Sequence, residues 1–197
     1  ELGIQILKKL NEYTSKWKKE ENIDYSLYGT PIESTTYKFA KSLQKRFGLI
    51  EGVSDKNYIT NSYHVHVDEP IDAFSKLAIE SELQPLSPGG CISYIEVPNL
   101  QKNIPAVLEV IKYIYGHIMY AELNTKSDNC QICGFEGEIQ MIEDENRKLV
   151  WECPNCGNRD FNKMNVARRV CGYISTNAMN QGRMAEIKDR VVHLGME

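Results

Sequence analysis

Residues 130–134 read Cys130-Gln131-Ile132-Cys133-Gly134, and residues 153–157 read Cys153-Pro154-Asn155-Cys156-Gly157. The two stretches are near copies. Each is a CxxCG knuckle, in which the glycine after the second cysteine lets the backbone turn sharply so that both sulfurs face one point. About twenty residues lie between the pairs, the spacing of a tetrahedral four-thiolate metal site. Between them, EIQMI (138–142) and KLVWE (148–152) predict a short hairpin. A structural zinc held by Cys130, Cys133, Cys153 and Cys156 is the first reading. An iron site of rubredoxin type uses similar knuckles and is the rival metal. Two disulfides are the reading without a metal. Four thiolates leave no open coordination position, which argues against catalytic zinc. A metal here would hold together a unit too small to own a core.

Zinc ribbons often bind nucleic acid, but this one is acidic. Glu136, Glu138, Glu143, Asp144 and Glu145 stand against Arg147 and Lys148. Such a surface repels phosphate, which argues against direct nucleic-acid binding. The whole chain has 197 residues, 25% of them charged, and a formal net charge of −4. No apolar run approaches a membrane span and no secretory pattern is present, so a cytoplasmic protein with no membrane partner is expected. Four of the six cysteines pair as CxxC, which in the cytosol reads as metal or redox chemistry. The chain opens ELGIQILKKL, already inside a helical pattern, which reads as a piece of a longer protein.

Upstream of the knuckles, helix and strand signals alternate. Ile6, Leu10, Tyr13 and Trp17 share one face of an amphipathic helix that needs a body to lie on. After the Gly29-Thr30-Pro31 turn, Ser34 is a candidate N-cap, and Tyr37, Ala40, Leu43 and Phe47 form a second apolar stripe ended by Gly48. KNYITNSYHVHVDEP (56–70) predicts a short strand or an extended loop, and PIDAFSKLAIESEL (70–83) a short helix. SPGGCISYIEVPN predicts a strand. Asn103 and Pro105 open a helix running to about Tyr115, and HIMYAELNT is a further strand. The pattern is α/β with a largely parallel sheet or part of a barrel. Three segments follow: 1–125 as the α/β part, 126–160 as the ribbon, and 161–197 as a tail. In the tail, Met184, Ile187, Val191 and Leu194 predict a last helix.

That tail contains Arg168-Arg169-Val170-Cys171-Gly172-Tyr173-Ile174. A glycine there looks misplaced, because it loses entropy on ordering and packs nothing. Taken together, CQICG, CPNCGNRD, VARRVCGYISTN and NQGRMAEIKDRVVHL resemble the C-terminal end of the anaerobic, class III ribonucleoside-triphosphate reductases, which are glycyl radical enzymes. That family sets a four-cysteine zinc site before an RVCGYLG radical loop. GTPIEST (29–35 with Thr36) and TNSYHV (60–65) look like motifs of the same family's catalytic barrel. The chain departs from the pattern at His66, where Pro is usual, at Ser175, where Gly is common, and in a short stretch from Ile174 to Gly182.

The resemblance implies a fold and a chemistry. The fold is part of a glycyl-radical-enzyme β/α barrel, followed by a zinc ribbon and a radical loop with a C-terminal helix. Gly172 would store the radical. An α-carbon radical must flatten between its amide nitrogen and carbonyl, and only glycine lacks a Cβ that would crowd the flattened backbone. An iron–sulfur, S-adenosylmethionine activating enzyme would install it. The radical would pass to a cysteine outside this chain, whose thiyl form takes the 3′ hydrogen of a ribonucleoside triphosphate, with formate as reductant. The parent would be a homodimer, and this piece alone inactive. Asn61, Ser62 and His64 are candidate contacts to substrate or to the radical loop. His64 and His66 would share a strand face, with His66 incidental. Glu33 reads as a helix cap, Cys91 as buried packing, Cys171 as a by-product of the motif, and Tyr173 as packing against the barrel. Two alternatives remain at this level: another glycyl radical enzyme such as a lyase, and a non-enzymatic zinc-ribbon binding module.

Overall fold

The computed structural model describes residues 1–29, 35–60, 62–100, 103–170, 173–176 and 180–195. Among them, Leu2–Glu21 form helix α1. Its stripe of Ile6, Leu10, Tyr13 and Trp17 is about half exposed. One tie to the rest of the chain is the Asn11 side-chain amide, which donates to the Leu86 carbonyl at 2.8 Å. Helix α2 spans Thr35–Phe47 and buries Ala40. The candidate caps Ser34 and Glu33 lie outside the described residues.

Helix α3 (Ala73–Ser81) starts at Asp72, whose carboxylate accepts from the Phe74 and Ser75 N–H groups that the helix itself leaves unpaired. Strand β1 (Ser93–Val97), helix α4 (Ile104–His117) and strand β2 (Ala121–Thr125) follow. Asn103 caps α4, with Pro105 in its first turn. β1 and β2 pair in parallel from Ser93 opposite Ala121 to Val97 opposite Thr125. A parallel pair needs a crossover, and α4 supplies it. Ile95, Val97, Leu77, Ala73, Val110 and Ile118 make the core of this layer. β1 is buried on both faces, as a parallel strand covered on both sides should be.

Of the two readings for 56–70, the loop is the one adopted. Ser62 takes a left-handed φ of 51°. The backbone groups of this stretch go to partners outside any ladder: Val65 N–H donates to Glu80, and Val67 C=O accepts from Val191 N–H at 2.9 Å. His64 and His66 therefore share no strand face.

The cysteine unit contains β3 (Asp128–Cys130), β4 (Glu136–Gly137), the hairpin β5 (Gln140–Glu143) with β6 (Leu149–Glu152), and β7 (Met164–Asn165). The hairpin falls where the sequence predicts it, with Met141 opposite Trp151. β7 comes from the tail segment and pairs antiparallel with β3, giving the order β4-β3-β7. A second core gathers Cys130, Cys153, Ile139, Trp151, Met164 and Val166. The tail continues as β8 (Arg168–Arg169), β9 (Ile174–Ser175) and helix α5 (Gln181–Asp189).

The last helix is shorter than its apolar stripe predicts. Met184 and Ile187 lie on it and are buried, but Val191 and Leu194 lie beyond its end. The chain leaves the helix there because tertiary partners take its backbone. Val191 N–H donates to Val67, His193 N–H donates to the Glu96 carbonyl at 2.8 Å, and His193 C=O accepts from Ala73 at the start of α3. The N-terminal turn of α5 docks on α2. A Cβ at Gly182 would stand 2.5 Å from Tyr37 Cδ2 and 2.9 Å from the Asn57 carbonyl, so only glycine permits that approach.

Candidate functional site

The four cysteines named by spacing converge. The sulfurs of Cys130, Cys133, Cys153 and Cys156 lie within 4.8 Å of one another, and no bonded disulfide joins them. Cys130 and Cys156 sulfurs are 3.7 Å apart, as are those of Cys133 and Cys153. A tetrahedron with metal–sulfur bonds near 2.3 Å has edges of about 3.8 Å. Two of the sulfur pairs already stand at that spacing, and the donor set suits a four-thiolate zinc. In each knuckle the glycine N–H donates back to the first cysteine carbonyl: Gly134 to Cys130 and Gly157 to Cys153, both at 2.9 Å. Both glycines have φ near 70°, the left-handed conformation the CxxCG reading requires. Burial opposes ionisation at Cys130, but N–H groups of Cys133 and Ile132 outweigh it and draw the thiol pKa down.

The described flanks of RRVCGYI lie on two short strands of the tail. β8 and β9 pair antiparallel, with Arg168 opposite Ser175 and Arg169 opposite Ile174. Val170 N–H donates to the Tyr173 carbonyl at 3.0 Å, so the ladder closes one residue nearer the tip. Cys171 and Gly172 stand between those two residues and lie outside the described residues. Tyr173 is half exposed in this chain.

Val170 lines a cavity of about 50 Å³ together with His64, Lys76, Glu96, Arg190 and His193. The charged groups around it are buried and paired. Glu186 accepts from Arg183 at 2.7 Å and from Arg190 at 2.9 and 3.1 Å, and Arg190 reaches on to Glu96 at 3.2 Å. Glu96 also accepts from Asn124 on β2 at 2.9 Å. On the other side Lys76 pairs with the fully buried Glu80, which also meets His64 Nδ1 at 3.4 Å. Burial alone would raise the Glu80 pKa, but His64 and Lys76 hold it down at about 2. Sequence reading passed over this cluster. Its one legible signal is the spacing Arg183, Glu186, Arg190, which puts three charges on one helical edge.

Of the three candidate contacts, His64 lines the cavity beside Val170, with its ring between those of Tyr63 and Tyr94, 5.6 Å from each. Ser62 is exposed. Asn61 lies outside the described residues. His66 meets Thr60 at 3.1 Å and is exposed. The two upstream motifs do meet. A Cβ on Gly29 would lie 2.8 Å from the Tyr63 ring and 3.0 Å from Ser62 Oγ. Cys91 is buried, as its packing role predicts.

His193 carries a pH dependence. Its Nδ1 accepts from Glu96 N–H at 2.9 Å, which puts the imidazole proton on Nε2. Burial, and then the Lys76 ammonium, push its pKa down to about 4. The unfolded chain, with an ordinary histidine pKa near 6.5, therefore binds the extra proton first. Stability from this residue is complete above about pH 6.5 and is lost as pH falls towards 4. Urea unfolding of the metal-loaded protein should show about 2 kcal/mol less stability at pH 5 than at pH 7 from this group alone. A His193→Gln variant should lose that difference. An equal pH dependence in both proteins would refute the assignment.

A sequence model of the anaerobic ribonucleoside-triphosphate reductases matches residues 1–193. The chain is 42% identical over 197 residues to the anaerobic ribonucleoside-triphosphate reductase of Haemophilus influenzae, covering 98% of this chain and 27% of that protein. It is 39% identical over 196 residues to the Escherichia coli protein of the same name, again covering 98% of this chain and 27% of the relative. The chain thus spans about a quarter of the length of these curated relatives. A solved structure of an anaerobic ribonucleotide reductase superposes with a TM-score of 0.67 at 18% identity, over 97% of this chain and 28% of that one. The Thermotoga maritima enzyme with glycerol in the active site gives 0.54 at 17% identity, over 98% and 27%. The same enzyme in complex with dATP and CTP gives 0.51 at 17%, over 86% and 25%. These likenesses share the fold.

Proposed function

Because the chain belongs to the anaerobic ribonucleoside-triphosphate reductase family, we propose that it is the C-terminal part of an enzyme that converts ribonucleoside triphosphates to deoxyribonucleoside triphosphates. The observation that carries this is the family match over residues 1–193, in a chain whose four cysteines converge just before RRVCGYI. The complex of a structural relative with dATP and CTP supports the nucleotide class.

Each residue has a role in this reading. Gly172 stores the radical after an iron–sulfur, S-adenosylmethionine activating enzyme removes a Cα hydrogen. Cys130, Cys133, Cys153 and Cys156 hold a structural zinc, which supplies rigidity and no open coordination position. The thiyl cysteine belongs to the parent chain's other part, in its β/α barrel, and formate is the reductant. His64, Ser62 and Asn61 contact the substrate or the radical loop. His64 is the best supported of the three, because it lines the cavity that Val170 also lines. In this reading the parent is a cytoplasmic homodimer. The 197-residue piece alone is inactive.

The test is anaerobic activation of the full-length enzyme, followed by chromatography of nucleotides with formate present and absent. Formate-dependent deoxyribonucleoside triphosphate is the expected product. A zinc-loaded, activated enzyme that makes none would overturn the reading.

A further inference from the structure

The two arginines before the loop have separate destinations. Successive side chains of a strand point to opposite faces, and β8 has only Arg168 and Arg169. Arg168 is 4% exposed and enters the cysteine unit. Its two terminal nitrogens donate to the two oxygens of Asp128 at 2.5 and 2.6 Å. It also donates to the Ile139 carbonyl at 3.3 Å, and its guanidinium lies 5.0 Å from the centre of the Trp151 ring. Asp128 is itself buried and fixed, since it accepts from Ile139 N–H at 2.8 Å. It stands two residues before Cys130, on β3. Arg169 goes the other way and pairs with Glu122 on β2, with both side chains largely buried. Glu122 is held in turn by the Tyr120 hydroxyl at 2.6 Å.

We infer that Arg168 and Arg169 are positioning residues that clamp β8, the strand leading into Gly172, between the cysteine unit and the β1–β2 layer. The inference rests on the reading that Gly172 stores the radical. The clamp grips the strand three and four residues before the glycine. The β8–β9 ladder and the Val170–Tyr173 bond carry that grip to the tip. The two grips differ in chemistry. Arg168 uses the planar fork of arginine on both oxygens of one carboxylate, which a lysine cannot copy. Arg169 makes a pair that a point charge can copy. Through Asp128, the state of the four-cysteine site also bears on the loop.

The experiment uses the full-length enzyme, activated anaerobically, with Arg168→Gln, Arg168→Lys, Arg169→Gln and Arg169→Lys variants. Three quantities are read: metal per chain, glycyl spins per chain by EPR, and turnover per spin. Displacing reacting groups by an ångström lowers rates by about tenfold to a hundredfold. Turnover per spin should therefore fall by about tenfold or more in Arg168→Gln, Arg168→Lys and Arg169→Gln, with metal and nucleotide KM unchanged. Arg169→Lys should recover most of it. A purely structural role would lower metal, spins and activity together and leave turnover per spin at the wild-type value; that result overturns the clamp. Arg169→Gln removes the less buried pair, so it keeps the test decisive if Arg168→Gln misfolds. A wild-type enzyme that forms no glycyl radical would instead overturn the radical assignment beneath the clamp.

Discussion

Gly172→Ala should abolish the glycyl EPR signal of the activated full-length enzyme and with it all deoxyribonucleotide formation. The expectation comes from the Cα–H bond of residue 172. Removing that hydrogen leaves an unpaired electron that is stabilised only if the centre flattens between its amide nitrogen and its carbonyl. Alanine adds a Cβ that crowds the flattened backbone and a rival site for hydrogen loss. Metal content and unfolding midpoint are measured on the same variant and should stay at wild-type values. Those two measurements separate lost chemistry from lost folding. Cys171→Ser is the companion variant. If that thiol is a by-product of the motif, the EPR signal survives the change. A radical signal persisting in Gly172→Ala would end the assignment, and one lost in Cys171→Ser would move the neighbouring thiol into the mechanism.

The features legible in the sequence are those with local causes. A CxxCG knuckle fixes its own turn, so Cys130, Cys133, Cys153 and Cys156 could be named, and the structure brings them together. Asn103, Pro105 and the apolar pattern behind them fixed α4 in advance, because capping is a matter of neighbouring residues. Features decided by distant partners were not legible. Val191 and Leu194 continue a helical stripe, yet Val67 and Glu96 take the backbone there and draw it out straight. Lys76, Glu80, Arg183 and Glu186 carry no sequence signal of burial, since such residues are rarely buried unless paired. Their partners sit on other elements or face inward from a helix whose far side is covered, which one-dimensional spacing does not display. The loop around His64 was ambiguous for the same reason: Glu80, sixteen positions away, accepts from Val65 N–H. The role proposed for Gly172 rests on family resemblance alone, and Gly172 and Asn61 lie outside the described residues.

Metal removal should unfold the cysteine unit and leave the β1–β2 layer standing. The argument is one of scale. The unit's core is a handful of side chains around Ile139, Trp151 and Met164, closed by Met184 from α5. Structural zinc supplies roughly 10–16 kcal/mol of apparent binding free energy in small zinc-dependent folds, more than so few buried groups can replace. The other core, around Leu77, Ile95 and Val110, shares no residue with this one. Metal analysis should give about one zinc per chain, as expected for a four-thiolate site. Chelation, or Cys130→Ser, should then erase amide-exchange protection in β3, β5, β6 and β7 while Ile95 and Val97 keep theirs. Cys91→Ser should leave the metal bound, because that thiol is buried near Gln84 and far in sequence from the knuckles. The loss should also reach the loop. Asp128 leaves with β3, Arg168 then loses both carboxylate oxygens, and β8 keeps only its Arg169 grip. Turnover per glycyl spin in the full-length enzyme should fall with metal content. Full protection in a metal-free protein would show that the knuckles are held some other way, and thiol titration would then tell disulfides from free cysteines.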